Sequence, residues 1–364
     1  MKNFVILFSI IAATACTSAI KPAITGEEWG IVDSKPVYLY TLTNSNGIIA
    51  KITNYGGIVV EFYAPDRNGK MDNIVLGPAD LADVTGHPAL GRIIGRYANR
   101  ISDAKFTLDG TEYTLAANNG KNHIHGGVKQ FGHKVWDATV SSDEQSATLS
   151  LACTADDMEE GYPGNMTVKV DYVLTNDNEL QIRYTAATDK PTVLNLTNHS
   201  YFNLTGCKED VRNHQVRIYA DTYTPVDEEK IPTGEIAPVE GTPFDLRQWT
   251  TINDRITELP DGFDNNYCVN GTPDNPVLVA ELYEPESGRL LQTFTTEPGV
   301  QFYTAGGLNG KRKSPQGVAY TPFMGACFEA QHYPDSPNKP NFPTTVLRPG
   351  ETYTQTTIYR VEVK

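Results

Sequence analysis

The run Asn195 to Leu204 reads Asn-Leu-Thr-Asn-His-Ser-Tyr-Phe-Asn-Leu and sets one titratable imidazole, His199, among amides, hydroxyls and two aromatic rings. No Pro or Gly interrupts it, and Val193, Leu194, Leu196, Phe202 and Leu204 supply apolar support on both sides. A polar cluster on a stiff, partly apolar frame holds a proton-transfer group steady, which makes His199 a candidate acid or base. A His capped by its neighbours at a strand end is the commoner case. Partners elsewhere in the chain decide between the two.

Four other stretches carry groups of suitable chemistry. Gly95-Arg96-Tyr97-Ala98-Asn99-Arg100-Ile101 sets two guanidiniums and an amide beside small residues, a rigid fork of donors for ligand hydroxyls. Alone, it reads more readily as a turn whose arginines pair with carboxylates. Asn118 to Gly127 holds His123 and His125 at i and i+2, on one face of an extended segment and at metal-ligand spacing. A metal site of that type wants a Glu a few residues on, where Val128, Lys129 and Gln130 stand. Gly126 and Gly127 instead favour close backbone approach, with His125 left to hydrogen-bond a ligand. His123 faces the same way only if the strand continues, and is assigned no role.

In Asp261 to Tyr267, turn chemistry accounts for Asp261-Gly262 but not for Asp264 beside Phe263. A carboxylate there suits two vicinal sugar hydroxyls, with a ring against the sugar's apolar face. Glu329 follows Pro298 to Thr304 in the chain and sits among Cys327, Phe328 and Ala330. Desolvation in such surroundings lifts a carboxylate's pKa towards the range of a useful acid or base. An exposed Glu on a strand's solvent face is the plainer alternative.

The elements that must position these residues are strands. Val37 to Leu42 alternates, Asn46-Gly47 turns, and Ile48, Ala50 and Ile52 resume the alternation; Ile58, Val60 and Phe62 follow with period two. Asp109-Gly110 joins Phe106 and Leu108 to Tyr113 and Leu115, and Asn176 to Asn178 turns a hairpin within Thr167 to Thr185. Helical periodicity is confined to Pro78 to Val84 and Gln248 to Glu258. Thirty Gly and twenty-three Pro punctuate the 364 residues into short strands, which predicts one large all-β, antiparallel domain over residues 24–364.

The formal net charge of -14 argues against nucleic acid as a partner and weighs mildly against phosphorylated substrates. Lys2, the apolar run Phe4 to Ala13 and the small residues Ala13-Thr14-Ala15 read as an export signal over residues 1–15. Cys16 directly after them resembles a bacterial lipoprotein site, so the expected location is periplasmic or membrane-tethered through an acylated Cys16. Cys153, Cys207, Cys268 and Cys327 are scattered without C-x-x-C spacing, and most are expected free and buried.

In order and approximate spacing, the five stretches resemble the aldose 1-epimerase, or galactose mutarotase, family across nearly the whole chain after the leader. The resemblance implies a large antiparallel β-supersandwich and a sugar site with no cofactor and no metal. It implies His199 as general acid and Glu329 as general base, with Asn99, Arg100, His125, Asp264 and Gln301 binding the sugar and Tyr201 lining the site. Asn265 departs from relatives that often carry His after the Asp. The partner implied is a small aldose, and oligomeric state is left open. Other readings are a non-catalytic sugar-binding lipoprotein, a metal isomerase built on His123 and His125, and a hexose-phosphate epimerase using the basic run Lys311-Arg312-Lys313.

Overall fold

The alternation across Thr167 to Thr185 becomes two paired strands, Met166–Thr175 and Glu179–Thr188. Val168, Val170, Tyr172 and Leu174 face the core with Leu180, Ile182 and Tyr184, while Lys169 and Arg183 reach solvent. Fully burying one apolar side chain of this size stabilises by roughly 1.5–3 kcal/mol, so the alternation sets the register. Asp109 (φ 50°) and Gly110 (φ 80°) close the tighter hairpin between Lys105–Leu108 and Thr111–Thr114, where both turn positions need positive φ.

A computed structural model describes residues 20–84, 90–272, 275–314 and 317–364. The leader over residues 1–15 and Cys16 lie outside them. The largest antiparallel sheet runs in the order Asp137–Ser142, Ser146–Ala155, Met166–Thr175, Glu179–Thr188, Tyr353–Val363, Arg289–Thr295, Val277–Tyr283, Gln215–Ile218, Thr250–Thr251. A sequential meander from Ala23–Val32 to Met71–Asn73 shares its core, with Leu42, Ala50 and Ile52 in one apolar cluster with Leu149, Val170 and Leu180. The architecture is the antiparallel β-supersandwich expected.

A third sheet positions the chemistry, in the order Ala237–Pro238, Thr222–Thr224, Asp264–Cys268, Gly299–Tyr303, Cys327–Gln331. Its inner face packs Phe263 on Phe302 and Phe302 on Phe328, with ring centroids 5.0 and 5.1 Å apart. The long strand Tyr353–Val363 supports it from below. Tyr359 Oη donates to Phe328 O at 2.8 Å and Gln355 Nε2 to Ala330 O at 3.0 Å. With Phe328 and Ala330 turned to the core, alternation turns Cys327, Glu329 and Gln331 to the other face.

Two details depart from the sequence reading, and the cysteines follow it. The helices expected at Pro78 to Val84 and Gln248 to Glu258 shrink to single turns, Leu81–Val84 and Asn253–Ile256. Neither segment carries an apolar stripe long enough to offset the cost of nucleation, and Thr250–Thr251 pairs into a sheet instead. Val59–Pro65 is buried on both faces at Val59, Val60, Glu61 and Phe62, so its period-two pattern marks no solvent side. All four cysteines from Cys153 onward are free; Cys207 and Cys327 are buried and the other two half-buried.

Candidate active site

His199 follows the short strand Thr197–Asn198, which pairs with Ile93–Ile94. Its own backbone continues that pairing: His199 N–H donates to Arg92 O at 2.9 Å, and Gly91 N–H to His199 O at 2.8 Å. The flanking Asn198 is fixed too, donating through Nδ2 to Gly91 O at 3.0 Å and accepting Ser200 Oγ–H on Oδ1 at 2.6 Å. The amides and hydroxyls of the run therefore lock the backbone around the imidazole. The imidazole itself stacks on Tyr201, with centroids 4.8 Å apart and planes 10° from parallel. Tyr303 meets it edge-on at 6.2 Å.

Glu329 lies in the middle of Cys327–Gln331, opposite Gln301, and its Oε2 is 3.5 Å from His199 Nε2. Both side chains are almost fully buried, at 3% and 5% exposure. Burial pushes the Glu329 carboxyl well above its ordinary value; the Asp264 carboxylate adds to this and the Arg100 guanidinium opposes it. A carboxyl moved in that direction is a stronger base than an ordinary carboxylate, beside an imidazole that can carry a proton.

Donors and acceptors surround the pair. Gln301 Nε2 donates to Asp264 Oδ1 at 2.7 Å, and Arg100 Nη2 lies 3.9 Å from Asp264 Oδ2. Asn99 Oδ1 accepts from Arg100 N–H at 2.9 Å, and Arg100 Nε donates to Asn119 Oδ1 at 3.2 Å. His125 brings its ring to 5.4 Å from that of His199, nearly perpendicular. Its backbone is left-handed (φ 54°) and faces a left-handed Asn99 (φ 61°). His125 N–H donates to Asn99 O at 3.0 Å, and Asn99 N–H donates to His125 Nδ1 at 3.2 Å. Gly126 permits this contact, since a Cβ there would stand 2.0 Å from Gly95 O. Burial, then the charges of His199, Arg100 and His123, hold the His125 pKa well below its usual value, so the ring is neutral.

The two histidines of the Asn118 to Gly127 stretch part company. The strand ends at Ile124, and the left-handed turn at His125 breaks the shared face predicted for them. His123 is buried away from the pair, with Nδ1 2.8 Å from Ala116 O and Nε2 2.7 Å from Tyr162 Oη. Ligand atoms of His125, His199 and Glu329 do lie within 4.8 Å of one another. A metal-bound His uses one ring nitrogen and donates a proton from the other. In His125 the Nδ1 lone pair is already taken by the Asn99 amide, which leaves the ring proton on Nε2. That donor set does not suit a cation.

His199, Glu329, Asn99, Arg100, His125, Tyr201, Asp264 and Gln301 thus form one contiguous cluster. Asn265 takes the opposite side of its strand, in register with Phe302, so the departure at that position falls off the site. Tyr303 and Asn119 belong to the cluster without having been assigned roles. Tyr303 lies two residues from Gln301 on the same strand, so period two already placed it on the same face.

Residues 38–360 match the family model described as Aldose 1-epimerase. The chain belongs to the aldose 1-epimerase family. It is 42% identical over 316 residues to galactose mutarotase of Sus scrofa, covering 86% of this chain and 91% of that relative. It is 36% identical over 336 residues to aldose 1-epimerase of Escherichia coli K12, covering 90% and 96%. Among solved structures, galactose 1-epimerase from Lactobacillus acidophilus superposes with a TM-score of 0.83 at 28% identity, covering 94% of this chain and 99% of that one.

Proposed function

We propose that this protein is an aldose 1-epimerase that interconverts the α and β anomers of a free aldose by acid–base opening and reclosure of the ring. The observation that carries the reading is the buried His199–Glu329 pair, 3.5 Å apart, with the hydrogen-bonding side chains of Arg100, Asp264 and Gln301 beside it. His199 as imidazolium delivers its proton to the ring oxygen while the Glu329 carboxylate takes the proton of the C1 hydroxyl. The C1–O5 bond breaks, the aldehyde forms, and the C1–C2 bond turns. Closure on the other face runs the same transfers backwards.

The total number of protons on the pair is one before and after opening. Only their location changes, from imidazolium with carboxylate to imidazole with carboxylic acid. Burial favours this exchange, because it raises the Glu329 pKa and makes the carboxylate a stronger base towards the C1 hydroxyl. Asp264, held by Gln301, is an acceptor for vicinal sugar hydroxyls. The neutral His125 Nε2–H and the Arg100 guanidinium are donors that orient the ring between the acid and the base.

The substrate is a free rather than a phosphorylated sugar. Arg312, the centre of the basic run, donates to Asp83 Oδ1 at 2.7 Å, while Lys311 and Lys313 are exposed. The leader-like residues 1–15 followed by Cys16 support an exported, lipid-tethered enzyme. Loss of fatty-acid labelling in Cys16→Ser, with labelling in the parent, tests that tether.

Polarimetry on fresh α-glucose and α-galactose tests the chemistry. His199→Ala and Glu329→Ala are each expected to lower the rate by ~10²–10⁴-fold. Unchanged mutarotation in both variants overturns the assignment. A panel of aldoses then ranks the substrates.

A further inference from the structure

The turn Met158 to Tyr162 lies outside the cluster just described, yet it grips the chain on both sides of His125. Glu160, itself left-handed (φ 55°), presents both carboxylate oxygens to the segment leaving His125. Its Oε2 accepts from Val128 N–H and its Oε1 from Lys129 N–H, each at 2.9 Å. Bonds of this kind, amide to charged carboxylate, are about twice as strong as neutral ones. Gly127 is shaped to that contact: at φ 104°, a Cβ there would stand 2.1 Å from Glu160 Oε2.

On the entering side, Tyr162 Oη meets His123 Nε2 at 2.7 Å. The residues on either side of this turn reach the other site-bearing stretch. Arg96 Nη1 donates to Pro163 O and Arg96 Nη2 to Asp156 O, both at 2.9 Å. Two segments that deliver Asn99, Arg100 and His125 are therefore fastened to residues 156–163, and the side chain there that takes the Val128 and Lys129 amides is Glu160.

We propose that Glu160 is a positioning residue for the epimerisation: by clamping the Val128 and Lys129 amides it holds His125 in its left-handed conformation, with its ring aimed at the sugar and at His199. Glu160 touches neither substrate nor the reacting atoms, and acts through His125. The proposal rests on His125 being a sugar-binding donor.

Glu160→Gln keeps one acceptor oxygen and turns an NH2 group towards the second amide. Its kcat/KM is expected to fall by roughly 10-fold, less than the ~10²-fold that a 1 Å misplacement can cost, with the loss in KM and kcat within about twofold. In a His125→Ala background the same change is expected to alter kcat/KM by less than about twofold, because the ring it positions is gone. Glu160→Asp, which keeps the charge but withdraws it by one methylene, is expected to fall between Gln and wild type. No loss in Glu160→Gln, or the same fold loss in both backgrounds, overturns the proposal. Wild-type activity in His125→Ala alone is a separate failure, of the sugar-binding role on which the proposal rests. Should the Gln variant fail to fold, amide exchange in the unaltered protein decides. Val128 and Lys129 are exposed residues whose N–H groups are expected to be protected, and exchange of both at free-peptide rates overturns the clamp.

Discussion

His332 Nδ1 and Glu297 Oε2 sit 2.6 Å apart in an ion pair directly behind the first residue of the His199 run. His332 N–H donates to Asn195 Oδ1 at 2.9 Å, and Asn195 Nδ2 donates to His332 O at 3.2 Å. Burial lowers the His332 pKa, but the charge and hydrogen bond of Glu297 outweigh it, and the net shift is upward. A His with a raised folded pKa contributes stability that is complete below its unfolded pKa of about 6.5 and fades as pH rises through the folded value.

The pair therefore makes stability pH-dependent in a stated direction. His332→Gln is expected to cost roughly 1.5–3 kcal/mol at pH 6, the range for hydrogen bonds to charged groups, and less at pH 9. Thermal melts of both proteins at the two pH values measure this. A deficit of equal size at both contradicts the linkage.

The tautomer of His125 is fixed by a peptide amide. A backbone N–H always carries its proton, so the Asn99 amide makes Nδ1 an acceptor and leaves Nε2 protonated. Long-range ¹⁵N–¹H spectra are expected to report Nε2–H, with no imidazolium, from pH 6 upward. A ring protonated on Nδ1 contradicts the contact between Asn99 and His125.

Activity should follow a bell-shaped pH profile, since the His199–Glu329 pair works with one proton and fails with none or two. The acid limb is expected above the ordinary carboxyl value of 4.5, because burial and Asp264 both raise Glu329. Asp264→Asn removes one of those influences, so its acid limb is expected at lower pH than that of wild type, whatever happens to KM. The reverse displacement would show that Asp264 does not act on Glu329.

Catalysis and stability oppose each other at Glu329. Its folded pKa lies above its unfolded one, so between the two the native state binds more protons, and stability falls as pH rises through that window. Glu329→Gln relieves the buried charge. At pH 8 it is expected to stabilise by on the order of 1 kcal/mol while lowering mutarotation by ~10²–10⁴-fold, and at pH 4 the gain should vanish. Calorimetry at both pH values checks this; equal melting at pH 8 would mean that the carboxylate is not penalised.

The hairpins were readable because turn residues and period-two alternation act over a few positions. Sheet partners are not local, and there the reading thinned. Cys327, Phe328 and Ala330 predict burial of Glu329, and of the three only Cys327 shares its face. The rest of its burial comes from outside its strand: His199, far away in the chain, brings Nε2 to 3.5 Å from its Oε2. The break between His123 and His125 could not be read from an alternating pattern, because Asn99 and the turn at Glu160 impose it from outside. Tyr303 was within reach, two residues from Gln301. Glu160 was not, since nothing near it in the chain distinguishes it from other surface acids.

Strand Tyr353–Val363 lies between Glu179–Thr188 and Arg289–Thr295 and carries the hydroxyl and amide that support the Glu329 strand. It is also synthesised after every segment it joins. A nascent chain that ends before it thus lacks both the middle of its largest sheet and the floor under its base. Such a chain can make early hairpins but no working site, so turnover begins only once strand Tyr353–Val363 has been made and has docked.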